Sequence, residues 1–271
     1  MKTQKNIMLL FILMSFLMMG KNGQAGNPIK EGDQLLEEGH LLQAADTYYQ
    51  AYLQDPTHKK ADLLLFKTGI VLDLAAPKLY EDADRKCYLD KKTEEANPQC
   101  FDDYARRLNN RYGDNAFFYW ADRIVIQYAG SHFQKILDDF PKSPLYADAV
   151  FKMFRGKSLM QGNPEEITDR VQQWIDNNSK SKILPEAWLL LGRLYADSWW
   201  VYARHTFVAR GGVAQIGGIP ENAEISKGKG LAAFRKVFEK YPDSAEAPVA
   251  KKEFQLLKNN KNDGFMYGIS Y

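Results

Sequence analysis

Apolar side chains recur three and four residues apart through most of this chain, the spacing that gathers them on one face of an α-helix. Glu31 to Pro56, EGDQLLEEGHLLQAADTYYQAYLQDP, holds two such faces with Gly39 at the break between them. HKKADLLLFKTGIVLDLAA carries the pattern from His58 to Ala76, and FDDYARRLNNRY and NAFFYWADRIVIQYA resume it from Phe101 to Ala129. The pattern predicts an all-α fold of about eleven or twelve helices. Two stretches interrupt it. Pro77 to Pro98 is charged and holds a cysteine, with the second just beyond it, so residues 77–100 are expected as an irregular connection. Later, an apolar helix ends near Asp197 and its partner begins near Gly230, which leaves 198–229 as an insertion. Trp199 to Arg210 could prolong the helix. GGVAQIGGIP could not, because four Gly and a Pro are too costly in a helix interior, and it is expected to form an ordered loop. The last residues alternate Phe265, Tyr267, Ile269 and Tyr271, a strand-like period. Residues 261–271 are expected either as a tail or as a strand for a partner's sheet edge.

The start of the chain changes the setting. Lys2 and Lys5 precede an apolar run from Ile7 to Met19, shorter than the roughly 20 residues that span a bilayer. Small residues Gly23 and Ala25 follow, which completes the pattern of a secretory signal peptide over residues 1–25, cut after Ala25. No cysteine lies near the cut to carry a lipid, and no later segment is apolar enough to span a membrane. A periplasmic or secreted protein is expected. Of the 36 Lys and Arg, three fall in the signal, leaving 33 against 34 Asp and Glu. That balance offers no footprint for nucleic acid. Cys87 and Cys100 are the only cysteines. In an oxidising compartment they are expected to pair, free thiols being the alternative if export fails.

Little points to chemistry. His40, His58, His132 and His205 are scattered, and two cysteines alone make a poor zinc site. The glycine pairs at 211–212 and 217–218 lack the strand–turn–helix context of a nucleotide fold. No catalytic residue, metal or cofactor is expected.

Repetition says more. Gly32, Ala44, Tyr48, Ala51 and Pro56 stand at the spacing of a close-packed helix pair: small residues for the approach, Tyr48 to fill the gap, Pro56 to end the unit. FQKILDDFPKS and FRKVFEKYPDS share F-x7-P-x-S at Phe133/Pro141/Ser143 and Phe234/Pro242/Ser244, with each Ser expected to cap the next helix. Trp188, Leu191, Gly192 and Tyr195 in WLLLGRLY stand at W-x2-L-G-x2-Y. These residues resemble the tetratricopeptide (TPR) repeat, and the F-x7-P-x-S segments are similar to the divergent repeats of BamD-like and Tol-Pal-associated periplasmic proteins of Gram-negative bacteria. The resemblance implies a TPR-like right-handed superhelix of antiparallel helix pairs over residues 26–260, acting as a scaffold for a protein or peptide partner in the cell envelope. A small-molecule or lipid receptor, or an accessory subunit of an envelope enzyme or transporter, are the alternatives.

The resemblance places Glu186, Leu189, Arg193, Ala196 and Asp197 on a concave groove, with Ile29, Asp33, Leu36 and Glu37 in the first repeat; a merely solvated face is the other reading. The insertion is dense in residue types common at binding hot spots. Together these predict a partner-facing set of Arg193, Asp197, Trp199, Tyr202, Arg204, His205 and Arg210, although Trp199 and Trp200 also have the spacing of core residues. N-terminal sequencing of the exported product is expected to start near Gly26. Recovery of Met1 on a membrane-bound product would overturn export as a soluble protein.

Overall fold

The computed structural model describes residues 27–90, 95–121, 125–161, 164–203, 207–209, 212–214 and 219–261. Ten helices dominate these residues, and three two-stranded antiparallel hairpins join some of them. Residues 1–25 and the alternating residues of the tail, 265–271, lie outside the described set. The described residues fall into two compact units, divided after Asn97.

The first unit holds α1 (Pro28–Glu37), α2 (Leu41–Gln54), α3 (Ala61–Cys87) and the hairpin β1 (Tyr88–Asp90) with β2 (Glu95–Ala96). Asn27 opens α1 by accepting a hydrogen bond from the Ile29 N–H at 3.1 Å, and Pro28 has no N–H to leave unsatisfied there. Gly39 turns the chain between α1 and α2 with φ at +79°, a conformation that suits glycine. The two helices then approach until the buried Tyr48 ring lies where a Cβ at position 32 would be. The Tyr48 hydroxyl donates to Asp33 Oδ1 at 2.6 Å, and Lys67 Nζ from α3 donates to the same oxygen at 2.5 Å. Burial pushes the Asp33 carboxyl up, but the hydrogen bonds from Lys67 and Tyr48 outweigh it and hold it below its ordinary value.

The expected irregular connection from Pro77 is instead mostly helix. α3 continues through Pro77 to Cys87 because its buried stripe, Leu72, Ala75, Leu79, Ala83 and Cys87, is unbroken. Pro77 lies on the exposed side, where water can serve the carbonyl its missing N–H leaves behind. Cys87, the last residue of α3, and Cys100 are joined in a disulfide.

The second unit begins with α4 (Pro98–Tyr112) and the hairpin of β3 (Phe117–Trp120) and β4 (Val125–Tyr128). This hairpin replaces the helix expected over Asn115–Ala129. Aromatic and β-branched residues favour the pleated backbone, and Asn109 decides the matter locally. Its side chain donates to the Phe117 carbonyl at 3.0 Å and accepts from the Phe117 N–H at 2.7 Å, which takes both backbone groups of that residue out of any helix. Phe117 and Ile126 are buried below it. His132 lies beside Tyr128, whose hydroxyl is 3.0 Å from its Nδ1. Burial pushes this imidazole down to about 4, so the ring is neutral near pH 7.

Five helices follow: α5 (Ser131–Asp139), α6 (Tyr146–Gln161), α7 (Pro164–Asn177), α8 (Leu184–Ala203) and α9 (Pro220–Lys240), with a sixth, α10 (Glu246–Lys258), closing the unit. A hairpin of β5 (Phe207–Ala209) and β6 (Gly212–Ala214) lies between α8 and α9. Ile167, Val171, Trp174, Leu190, Leu191 and Leu194 form one core cluster of α7 and α8. Leu189, Phe234, Val237, Ala250, Phe254 and Leu257 form a second, of α8, α9 and α10. Ser143 accepts from the Leu145 N–H at 2.9 Å in the turn before α6. The cap expected from Ser244 is not made: its buried hydroxyl has no hydrogen-bond partner.

The irregular insertion is shorter than its expected span of 198–229. α8 keeps its helix six residues beyond Asp197, and α9 starts at Pro220 rather than Gly230. The Ile219 N–H donates to the Tyr202 carbonyl at 3.3 Å, so the chain returns to the point it left. Within the pair, a Cβ at Gly192 would stand 2.5 Å from the Phe234 ring, and one at Gly230 would stand 3.3 Å from the Gly192 carbonyl. Gly192→Leu is therefore expected to lower stability by about 3 kcal/mol or more, as overpacking at rigid contacts does. Denaturant melts of wild type and variant check it, and coincident curves would refute the close packing.

Candidate functional site

The predicted partner-facing residues separate into three groups. Arg193 and Asp197 lie on α8 but are held inside the unit. Arg193 grips Glu253 of α10 from two sides, Nε to Oε2 at 2.9 Å and Nη2 to Oε1 at 2.5 Å. Asp197 is 3% exposed. Trp199 is 5% exposed and belongs to the cluster of Phe234 and Phe254, meeting Trp200 edge-on at 5.9 Å between ring centroids. A partner-facing role for Asp197 and Trp199 gives way to burial: helix α8 continues past Asp197, so position 199 keeps the register of the packed face. Arg204, His205 and Arg210 lie outside the described residues. Tyr202 alone is half-buried at a cleft.

Three of the groove positions implied by the repeat spacing, Leu189, Glu186 and Asp33, are similarly engaged, while Glu37 is exposed. Leu189 is buried in the core. Glu186 accepts from Lys152 of α6 at 2.5 Å, both side chains being largely covered. Beside them Ser181 donates to Asp148 Oδ1 at 2.7 Å, while burial holds the Asp148 carboxyl above its ordinary value. Asp33 is shared by Tyr48 and Lys67. Charged positions on the first helices thus bind neighbouring helices of their own unit.

Among the described residues of the second unit, a cleft of about 330 Å³ opens among α7, α8 and α9, at the base of the insertion. Thr168 and Asp169 come from α7, Tyr195, Ser198 and Tyr202 from α8, and Asn222, Ile225, Ser226 and Lys229 from α9. Tyr195 and Tyr202 are seven residues apart, two helical turns, so both rings serve the same side of α8. The Lys229 ammonium lies 5.4 Å from the centre of the Tyr195 ring. Burial raises the Tyr195 phenol, and the Asp169 charge raises it further. Ser198 donates to the Leu194 carbonyl at 3.0 Å.

Of these nine residues only Tyr202 is expected from sequence at a binding surface; Tyr195 is read there as part of the repeat signature. Residues 220–229 were assigned to the irregular insertion, which hid the α9 contributions. Pro220 followed by Glu221 is a helix-start signal that could have exposed them. Among the described residues, no group of three or more His, Cys, Asp or Glu could hold a metal ion, and no helix is long and apolar enough to cross a membrane. Set against known families and characterised proteins, the chain matches no family model, and no characterised protein is significantly similar to it in sequence.

The bidentate pair makes its own forecast. Arg193→Ala would leave the Glu253 carboxylate covered and uncompensated, at a cost of about 3 kcal/mol. Arg193→Leu with Glu253→Leu is expected to recover most of that, since well-packed apolar residues can replace such a pair. Thermal melts of the three proteins check this. A single variant as stable as wild type would return Arg193 to the partner surface.

Proposed function

We propose that this protein is an exported, non-enzymatic scaffold of TPR type that holds a protein or peptide partner in the cell envelope. One observation carries the reading: the same packing triad occurs twice. Gly32 and Tyr48 meet between α1 and α2, with Ala44 buried one turn before the tyrosine, and Gly192, Gly230 and Phe234 meet between α8 and α9. In each, the second small residue stands four positions before the aromatic, and that ring fills the space above the first glycine. A repeat of this kind buries its faces on its neighbours and serves as a binding platform rather than a reaction vessel. The disulfide supports an oxidising compartment, periplasmic or extracellular.

The insertion is the preferred contact surface. Twelve positions separate the two small residues of the first triad and 38 those of the second, so the later pair carries extra chain that its packing does not require. Ile219, exposed at the foot of that extra chain, extends the apolar character of the surface. The proposal assigns Tyr202, Arg204, His205 and Arg210 to the partner, while Arg193, Asp197 and Trp199 serve the packing of α8.

A photocrosslinking residue at position 219 is expected to give a discrete partner adduct in intact cells, and one at Leu53 is not. Replacing Arg204 and Arg210 together with Ala should leave the helical circular dichroism and melting point unchanged and reduce the adduct severalfold. A folded double variant with undiminished adduct would move the contact away from the insertion. Adducts at neither position would remove the scaffold reading.

A further inference from the structure

Two opposite charges line the cleft among α7, α8 and α9 and do not meet. Asp169 on α7 and Lys229 on α9 are both exposed, and among the described residues neither is engaged in an ion pair or a side-chain hydrogen bond. Tyr195 of α8 lies between their influences. The ammonium is 5.4 Å from its ring centre, and the carboxylate is close enough to act on its hydroxyl. The helices thus keep a fixed anion and a fixed cation around one aromatic ring without letting them neutralise each other.

The rest of the wall is rich in hydroxyl and amide groups. Ser226 and Thr168 are more than nine-tenths buried, and the Ser226 hydroxyl has no protein partner among the described residues. Asn222 adds a side-chain amide, and Ile225 contributes an apolar flank. The charges decide what can enter. A simple anion would be drawn by Lys229 and repelled by Asp169. A simple cation meets the reverse. An apolar molecule would strip water from polar walls and return nothing. A molecule with both charges satisfies both residues, and the wrong classes are rejected by the same pair. A volume of about 330 Å³ is at the small end of ligand sites.

We propose that this cleft binds a small zwitterion of the amino-acid or dipeptide class, its ammonium on Asp169 and its carboxylate on Lys229. Tyr195 and Tyr202 flank the bound molecule, and Ser226 and Asn222 hydrogen-bond the peptide amide of a dipeptide. The site is independent of the scaffold reading, because α7, α8 and α9 form it whether or not the insertion holds a partner.

The test is a titration of the purified protein with L-alanyl-L-alanine, followed by backbone amide NMR shifts. Saturable shifts are expected at residues 195–202 and 222–229, with a dissociation constant on the order of millimolar. N-acetylation of the dipeptide, which removes the ammonium, and C-amidation, which removes the carboxylate, should each weaken binding about three- to fivefold, as loss of an exposed ion pair does. Asp169→Asn should erase the penalty for acetylation alone, and Lys229→Gln the penalty for amidation alone. Both residues are exposed, so both variants are expected to melt like wild type. Absence of saturable shifts up to about 50 mM, roughly tens of times the expected constant, would overturn the proposal. So would blocked dipeptides that bind as well as the free one, or shifts confined to residues outside the cleft.

Discussion

The approach of α8 to α9 is set by a missing side chain. Gly192 offers no Cβ, so the Phe234 ring can lie against the helix backbone, and the Gly230 backbone can come close to the Gly192 carbonyl. The core cluster shared by α8, α9 and α10 inherits this spacing. The cluster from Leu189 to Leu257 closes around the ring, and α10 can seat Phe254 and Leu257 on the same surface. The first unit solves the same problem with Gly32 and Tyr48, and adds a polar fastening where the tyrosine hydroxyl reaches Asp33. Phe234 has no such hydroxyl, and there the polar fastening is the pair of Arg193, next to Gly192 in the chain, with Glu253 of α10.

Those ion pairs change what a groove means here. Lys67 with Asp33, Lys152 with Glu186 and Arg193 with Glu253 each link one helix to another in its unit. A charged residue satisfied by its own fold presents a stable shape to a partner but little unspent electrostatic attraction. In the cleft among α7, α8 and α9, by contrast, Asp169 and Lys229 are left without an ion pair among the described residues. Pairs that are 24% and 10% exposed, as in Arg193 with Glu253, also hold helix orientation more firmly than surface pairs do.

Much of the fold was legible in the sequence because periodicity and small-residue spacing have local causes. The Gly32/Ala44/Tyr48 triad and the turn at Gly39 could be read directly, and so could the closeness demanded at Gly192. Three features resisted for definite reasons. Pro77 looked like a helix end because a one-dimensional reading cannot tell that its exposed side tolerates a lost hydrogen bond. Phe117 to Tyr128 has apolar residues at spacings that suit either a helix or strands, and the choice rests on Asn109, eight residues away. The cleft is assembled from three helices, and no local pattern announces that Asp169 and Lys229 share it. The burial of Trp199 was one of two open possibilities until the length of α8 fixed its register.

The hydrogen bond from Ile219 N–H to the Tyr202 carbonyl means that the chain leaves the helix pair and re-enters it through a single gate. The bond fixes the two ends of the intervening segment to each other. Loop closure becomes only about 0.6 kcal/mol more costly for each doubling of length, so residues added between these two ends cost the packing of α8 on α9 little. Such a position is an exchangeable cassette. Variation can be tried there without being tested against the packing of α8 on α9.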